Sequence, residues 1–176
     1  VLHDSGEARG FTLVELLVVM SIIGILATLI TGGFQSAQMR GRDAQRKSDL
    51  KQLTSALELF YSDYSKYPGS LSNAIAGCPY DPAVGNGTAC SWGSAEFTDG
   101  KTVYFKEVPA DPGKNQTYYY RVLSSNQKFQ LFARLENSQD QDCINNNCVN
   151  PVSYSCGNYN CNFSISVLKY FLNIKN

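Results

Sequence analysis

The chain has 176 residues, and fifteen Lys and Arg stand against fifteen Asp and Glu, a formal net charge of zero. That length fits one domain, or one domain with an appendage, and balanced charge gives no whole-chain field that would draw nucleic acid or an anionic membrane surface. The single histidine, His3, precedes the first apolar run; once the segment ahead of that run is removed, Ser-His-Asp and Cys-His catalysis and His-ligated metal sites are excluded.

From Phe11 to Ile30 the chain reads FTLVELLVVMSIIGILATLI, twenty positions with Glu15 as the one charge. As a helix rising 1.5 Å per residue, the run covers roughly 30 Å, the hydrocarbon thickness of a bilayer, and it is expected to cross a membrane. A secretory signal peptide would carry basic residues, a shorter apolar stretch and an A-x-A-like exit. The following TGGFQSAQMRGRDAQRK offers no such exit. A carboxylate one turn inside such a helix is costly unless it is paired or snorkels to the interface.

The residues Gly10-Phe11-Thr12-Leu13-Val14-Glu15 at the head of this run resemble the processing motif of type IV pilins and type II secretion pseudopilins. The resemblance implies that a membrane peptidase cuts between Gly10 and Phe11 and that Phe11 is then N-methylated. It also implies that mature subunits polymerise through the N-terminal helix, with Phe11 and Glu15 at the assembly contact. The freed amine of Phe11 is then the nearby partner for Glu15, within one helix or from a neighbouring subunit. Two features depart from the family pattern. The leader VLHDSGEARG sets Asp4 and Glu7 against Arg9, where family leaders are usually basic. Arg40, Arg42, Arg46, Lys47 and Lys51 follow the span, a flank that the positive-inside count would place in the cytoplasm. The family orientation is nevertheless expected, because its peptidase meets the leader at the cytoplasmic face and Asp43 and Asp49 partly offset the basic cluster.

Beyond the span, Leu50, Leu53, Leu57, Phe60 and Tyr64 recur at steps of three and four, one stripe of an amphipathic helix. The predicted helix runs from Phe11 to about Ser65, roughly 80 Å at 1.5 Å per residue, and its second half holds a sheet. Asp43 and Lys47 attract at i,i+4 while Lys47 and Lys51 repel, so surface charge is expected to add only minor support. Gly24, Gly32, Gly33 and Gly41 are places where it can bend or, in a membrane, pack closely. Tyr67-Pro68 ends it. The segment Asp63-Tyr64-Ser65-Lys66-Tyr67-Pro68 resembles the helix end of major pseudopilins and Gram-positive-type pilins. Val108-Pro109-Ala110-Asp111-Pro112 resembles the turn by which that family enters its sheet.

In TYYYRVL, Tyr118, Tyr120 and Val122 share one face, and in KFQLFARL, Phe129, Leu131, Ala133 and Leu135 share one face. With SSNQ between them they predict a hairpin. A shorter strand over 102–106 pairs through Asp99-Gly100 with residues 95–98. Residues 70–76 read as a short helix and 77–94, rich in Gly, Pro and Asn, as loop; SISVLKYFLNI fits either strand or helix. Eleven Tyr, nine Phe and one Trp could stack bases or sugars, but without a basic groove beside them they are expected in the core and at subunit contacts.

All six cysteines, Cys78, Cys90, Cys143, Cys148, Cys156 and Cys161, follow the span, an even count that fits disulfides formed outside the cytoplasm. Of the fifteen connectivities six thiols allow, Cys78 with Cys90 follows from proximity, and the two C-x4-C units either close locally, the preferred reading, or cross-link each other. A four-thiolate zinc site at Cys143, Cys148, Cys156 and Cys161 is the rival. In the loop ENSQDQD, Glu136, Asp140 and Asp142 offer hard oxygen ligands suited to calcium, without the residue order of an EF-hand. A solvated loop is the competing reading.

These readings predict an α+β chain: a long N-terminal helix, membrane-spanning in its first half and amphipathic in its second, packed on a small antiparallel sheet with a disulfide-rich C-terminal region. Its parts are a leader (1–10), a transmembrane and assembly helix (11–34), an amphipathic continuation (35–66) and a globular β domain (67–176). By resemblance it is a structural subunit of a type IV pilus or type II secretion pseudopilus. The expected partners are copies of itself, a prepilin peptidase, an inner-membrane assembly platform and, before assembly, membrane lipid. It is expected first as a single-pass cytoplasmic-membrane protein with its N-terminus inside, then in an extracellular or periplasmic filament. Nucleic acid is not an expected partner, no cofactor beyond the calcium candidate is expected, and no constellation of side chains predicts an enzyme. The alternative is a membrane-anchored extracytoplasmic binding module, akin to a minor or tip pilin, serving adhesion or DNA uptake.

Overall fold

The computed structural model describes residues 10–144, 148–149 and 151–166, with side chains for all of these except 29–33. The leader positions Asp4, Glu7 and Arg9 and the 167–174 part of the ambiguous SISVLKYFLNI segment lie outside the described residues. Among the described residues one helix and ten short strands make an α+β protein. The helix, α1, is Leu13–Tyr64, ending one residue from the predicted stop. The chain divides within it into two compact units, Val1–Gln38 and Met39–Asn176.

In the first unit every described side chain from Gly10 to Thr28 is exposed. Its hydroxyls are satisfied inside the helix: Ser21 donates to the Val18 carbonyl at 2.7 Å and Thr28 to the Ile25 carbonyl at 2.7 Å, the arrangement an apolar surrounding demands of a polar side chain. Among the described residues no helix is long and apolar enough to cross a membrane; the described side chains of the apolar run stop at Thr28.

The second unit is built on the predicted stripe. Leu50, Leu53, Leu57 and Phe60 are completely buried, with Ala56 beside them and Tyr64 half-buried, and each large apolar side chain removed from water contributes about 1.5–3 kcal/mol. Three groups of strands pack around them. The first sheet runs β1 (Gly69–Leu71), β2 (Ala74–Asp81), β3 (Asn86–Ala89). β4 (Phe97–Thr98) and β5 (Val103–Phe105) form the short ribbon predicted around Asp99-Gly100. β6 (Tyr119–Leu123) and β7 (Lys128–Ala133) form the predicted hairpin, with Tyr120 opposite Leu131 and Val122 opposite Phe129. A second two-stranded ribbon is β8 (Ser155–Cys156) with β9 (Tyr159–Asn160), and β10 (Phe163–Ser166) adds to the outer edge of β7. The SIS start of the ambiguous segment is therefore strand. Aromatics fill the interior as expected: the Phe60 ring lies edge-on to Tyr80 at 4.7 Å and to Tyr104 at 5.1 Å between centroids.

Two local expectations are overturned. Residues 70–76 are not helical; they are the β1–β2 hairpin, whose two-residue turn is Ser72-Asn73 with φ of 50° and 66°. A turn with both central residues left-handed matches the twist of the flanking strands, and without a glycine in it the sequence carried no clear turn signal. Nor is 77–94 a loop. β2 runs through it to Asp81, bulging between Ala76 and Tyr80, and β3 pairs back on it. Gly87 is there for close approach rather than chain reversal, since a Cβ on it would sit 2.5 Å from the Pro79 carbonyl oxygen.

Candidate functional site

At the start of α1, Gly10 is exposed with nothing within 4 Å of where a side chain would begin, and Phe11 is 89% exposed. Thr12 and Glu15 close on each other. The Thr12 backbone N–H donates to Glu15 Oε2 at 2.9 Å and its hydroxyl donates to the same oxygen at 2.8 Å, while the Glu15 N–H donates to Thr12 Oγ1 at 3.2 Å. This is a capping box, with a threonine at the helix boundary and a glutamate three residues on satisfying each other's backbone donors. The pairing of Glu15 with the freed Phe11 amine is expected of the cleaved chain; before cleavage Thr12 holds Glu15, a contact that the Thr12-x-x-Glu15 spacing signals.

In the second unit the charged residues of α1 do more than decorate a surface. Arg46 is completely buried. Its guanidinium donates from Nε and Nη2 to Asp111 (2.8–3.1 Å) and from Nη1 to Asp43 (2.8 Å), and Nη2 lies 2.8 Å from Glu136 Oε1. Asp43 also accepts the backbone N–H groups of Glu136 (2.9 Å) and Asn137 (2.8 Å). Arg42 donates from Nε to Glu136 at 2.8 Å. Lys47 reaches Asp140 at 2.8 Å and Asp142 at 2.7 Å. Tyr118 donates to Asp49 at 2.7 Å. Helix residues 42, 43, 46 and 47 thus bind the turn at Asp111 and the loop at 136–142 to α1, and Asp49 holds Tyr118. Gly113 is required by the same contact, since a Cβ there would fall 2.5 Å from Arg46 Nη2.

The electrostatics follow from these pairs. The hydrogen bond from Arg42 holds the Glu136 carboxyl down at about 2, against burial that would raise it and with Arg46 assisting. Burial works to lower Arg46 and Lys47, but their carboxylate partners win and both titrate above their ordinary values. Burial also opposes ionisation of Asp140, yet Lys47 leaves it below the usual carboxylate range. Asp49, mainly desolvated, is pushed up. The expectation of minor surface support at i,i+4 is corrected: Asp43 pairs with Arg46 one position nearer, Lys47 turns to the distant loop, and the side chains of Arg46, Asp43 and Asp111 are buried. Nothing in the local spacing could reveal partners 65 and 94 positions away.

The calcium candidates Glu136, Asp140 and Asp142 are all engaged with α1 cations, and among the described residues no group of three His, Cys, Asp or Glu side chains could hold a metal. The cysteines pair locally: Cys78–Cys90, Cys143–Cys148 and Cys156–Cys161, with Cα separations of 5.0, 5.1 and 5.2 Å. With every thiol in a disulfide, the four-thiolate zinc alternative is overturned.

Comparison with known proteins places this geometry. Residues 7–31 match the family described as "Prokaryotic N-terminal methylation motif". The chain is 32% identical over 127 residues to the type II secretion system core protein G of Pseudomonas aeruginosa, covering 72% of this chain and 82% of that protein. It is 31% identical to the Aeromonas hydrophila core protein G over 70% of this chain and 80% of that protein. It is also 39% identical to the type IV major pilin protein PilA of Myxococcus xanthus, over 40% of this chain and 32% of that protein. No solved structure matches the chain significantly.

Proposed function

The chain belongs to the type IV pilin and type II secretion pseudopilin family and is a structural pilus or pseudopilus subunit, and we propose that it matures by cleavage after Gly10, methylation of the Phe11 amine and polymerisation through Phe11–Ile30. The observation that carries this reading is the head of α1, where the exposed Gly10 and Phe11 are followed by a run of exposed, mainly apolar side chains with Glu15 as its one charge. In this proposal the peptidase acts at the cytoplasmic face, the apolar run holds the subunit in the membrane with its C-terminal part outside, and a membrane assembly platform then draws it into the filament. The twenty apolar positions have the length of a span, and the hydroxyls of Ser21 and Thr28 are already satisfied for it. Three of the five basic residues of the flank, Arg42, Arg46 and Lys47, are ion-paired in the folded chain, which reduces the flank's opposition to that orientation. The parts serving these steps are the leader 1–10, the assembly helix 11–34, its amphipathic continuation 35–66 and the globular domain 67–176.

Glu15 has two uses in sequence. In the membrane-held subunit its carboxylate is masked by Thr12, which lowers the cost of a buried acid. Cleavage leaves a cationic amine on Phe11, and in the filament that amine, from a neighbour, replaces the neutral donors and sets the axial step. Of the two filament types, the pseudopilus is preferred, since the core protein G relatives match 70–72% of the chain, whereas the PilA match covers 40%.

The test is an intact, non-reduced mass of the protein recovered from cells with its own prepilin peptidase. A product starting at Phe11, with one added methyl and six hydrogens missing, supports maturation, export and three disulfides together. An uncut chain in functional cells favours the anchored binding module.

A further inference from the structure

The amide that the proposed maturation cuts stands just outside a helix, and hydrogen bonds decide where that helix starts. α1 begins at Leu13, and the Leu16 N–H donates to the Thr12 carbonyl at 3.3 Å. Among the described residues no backbone N–H outside the helical ladder is bonded to the carbonyl of Gly10 or of Phe11. The carbonyl that hydrolysis attacks, that of Gly10, is thus left out of the helix.

An apolar run does not impose that boundary by itself. In an apolar surrounding every unsatisfied backbone N–H is costly, and a helix prolonged by one turn satisfies the first donors with carbonyls four residues earlier, moving the orphans toward water. In such a helix the Gly10 carbonyl accepts the Val14 N–H and the Phe11 carbonyl accepts the Glu15 N–H. The capping box diverts two of these donors. The Glu15 N–H goes to Thr12 Oγ1 at 3.2 Å, in place of the Phe11 carbonyl, and the Thr12 N–H goes to Glu15 Oε2 at 2.9 Å. The Thr12 hydroxyl donates to the same Oε2 at 2.8 Å and locks the two side chains together. A box of this kind marks a helix start, and both residues lie within the N-terminal methylation motif, residues 7–31.

We propose that Thr12 is a positioning residue for the cleavage after Gly10: its box with Glu15 sets the first residue of α1 and so keeps the scissile carbonyl free of intrahelical hydrogen bonds. The inference rests on the maturation reading above and deepens it. In the hydrolysis, water adds to the Gly10 carbonyl carbon and the bond from that carbon to the Phe11 nitrogen breaks. Gly10 is left as a carboxylate, and the Phe11 nitrogen leaves as an amine that has taken up a proton. Meanwhile the carbonyl oxygen must accept hydrogen bonds that stabilise the charge developing on it, and an oxygen held by the Val14 N–H has first to leave the helix. Thr12 touches no reacting atom and acts only through the backbone. When the box is lost, the chain populates the prolonged helix, and only the fraction with a free amide binds the peptidase. Apparent affinity falls by that fraction while the chemical step is unchanged.

The test is the cleavage of the full-length, uncut chain in detergent micelles by a prepilin peptidase, with kcat and KM taken from the mass-resolved products. Thr12→Val keeps the shape of the side chain and removes the capping oxygen. It is expected to raise KM about fivefold, the scale of losing one helix N-cap, at unchanged kcat. Thr12→Ser and Thr12→Asn restore a capping oxygen and are expected to return KM to that of the unmodified chain. In the same micelles the 13Cα shifts of Gly10 and Phe11 are expected to move to helical values in Thr12→Val alone. Thr12→Val cut like the unmodified chain overturns the inference. So does a fall in kcat at unchanged KM, and so do Ser and Asn variants as slow as Val, because the peptidase then reads the threonine side chain itself. These three results leave the maturation reading in place, whereas an unmodified chain that is never cut removes that reading and this inference with it.

Discussion

Arg46 is the residue on which the second unit's polar interior turns, because one planar guanidinium meets Asp43, Asp111 and Glu136 and no smaller cation offers donors in that fork. Arg46→Met leaves the buried Asp111 and Asp43 without a cation, while Glu136 keeps Arg42, and a loss of about 3–5 kcal/mol is expected, read from the urea midpoint of the full chain in detergent. Arg46→Lys is expected to recover only part of it. The acid limb follows from Glu136. Its folded pKa of about 2 lies below its ordinary 4.5, so its contribution is complete above about 4.5 and disappears as pH falls toward about 2. Asp99, held low first by the Tyr64 hydroxyl and then by the Thr102 N–H, and Asp140 add in the same direction. Asp49, raised by burial, opposes them. The melting temperature is therefore expected to drop between pH 4.5 and 2, and less steeply in Glu136→Gln; identical slopes would remove Glu136 from the account. The stripe residues of this site were legible from spacing, but a buried Arg among Asp and Glu reads in sequence like any solvated helix face.

The disulfides and the helix stripe act at the level of elements. Cys78–Cys90 ties β2 to the end of β3 across a separation of 12, whereas Cys156–Cys161 closes a separation of 5 around the β8–β9 ribbon. Loop closure predicts about 3 kcal/mol for the first and about 2 for the second. Paired Cys→Ser replacements should rank in that order in denaturant midpoints, and equal costs would point to local packing, such as Phe132 against Cys156 and Cys161, as the larger effect. Leu53→Ala, in the fully buried stripe, is expected to cost about 2–5 kcal/mol. The stripe of α1 and the β6–β7 hairpin were legible from their period, and the β4–β5 ribbon from its Asp99-Gly100 turn. The β1–β2–β3 sheet was not, because its strands carry glycine and proline without alternation, β2 bulges between Ala76 and Tyr80, and its first turn is Ser-Asn.

For the whole molecule, the maturation proposed above depends on Gly10 and Phe11, which belong to the first unit. Gly10→Trp is expected to yield an unprocessed, membrane-retained chain with unaltered melting of the globular unit, checked by mass and by the filament fraction; normal filaments from that variant would remove the cleavage reading. Chelation tests the acidic loop at the same scale. Because Lys47 and the two arginines already hold Glu136, Asp140 and Asp142, EDTA is expected to leave the melting curve unchanged. A fall of several degrees reversed by calcium would show that the loop rearranges to bind it.

The sequence by itself determined the processing motif, the apolar run, the amphipathic stripe and the even set of cysteines, since each is written in neighbouring residues or in a period of a few positions. Only the tertiary structure decided that local pairing is chosen among fifteen connectivities and that Arg46 is buried among carboxylates from three segments. Those outcomes depend on which distant groups the packed core brings within 3 Å. An ion's partner is set by distance and desolvation in the folded chain, and neither quantity is a property of the order of residues along it.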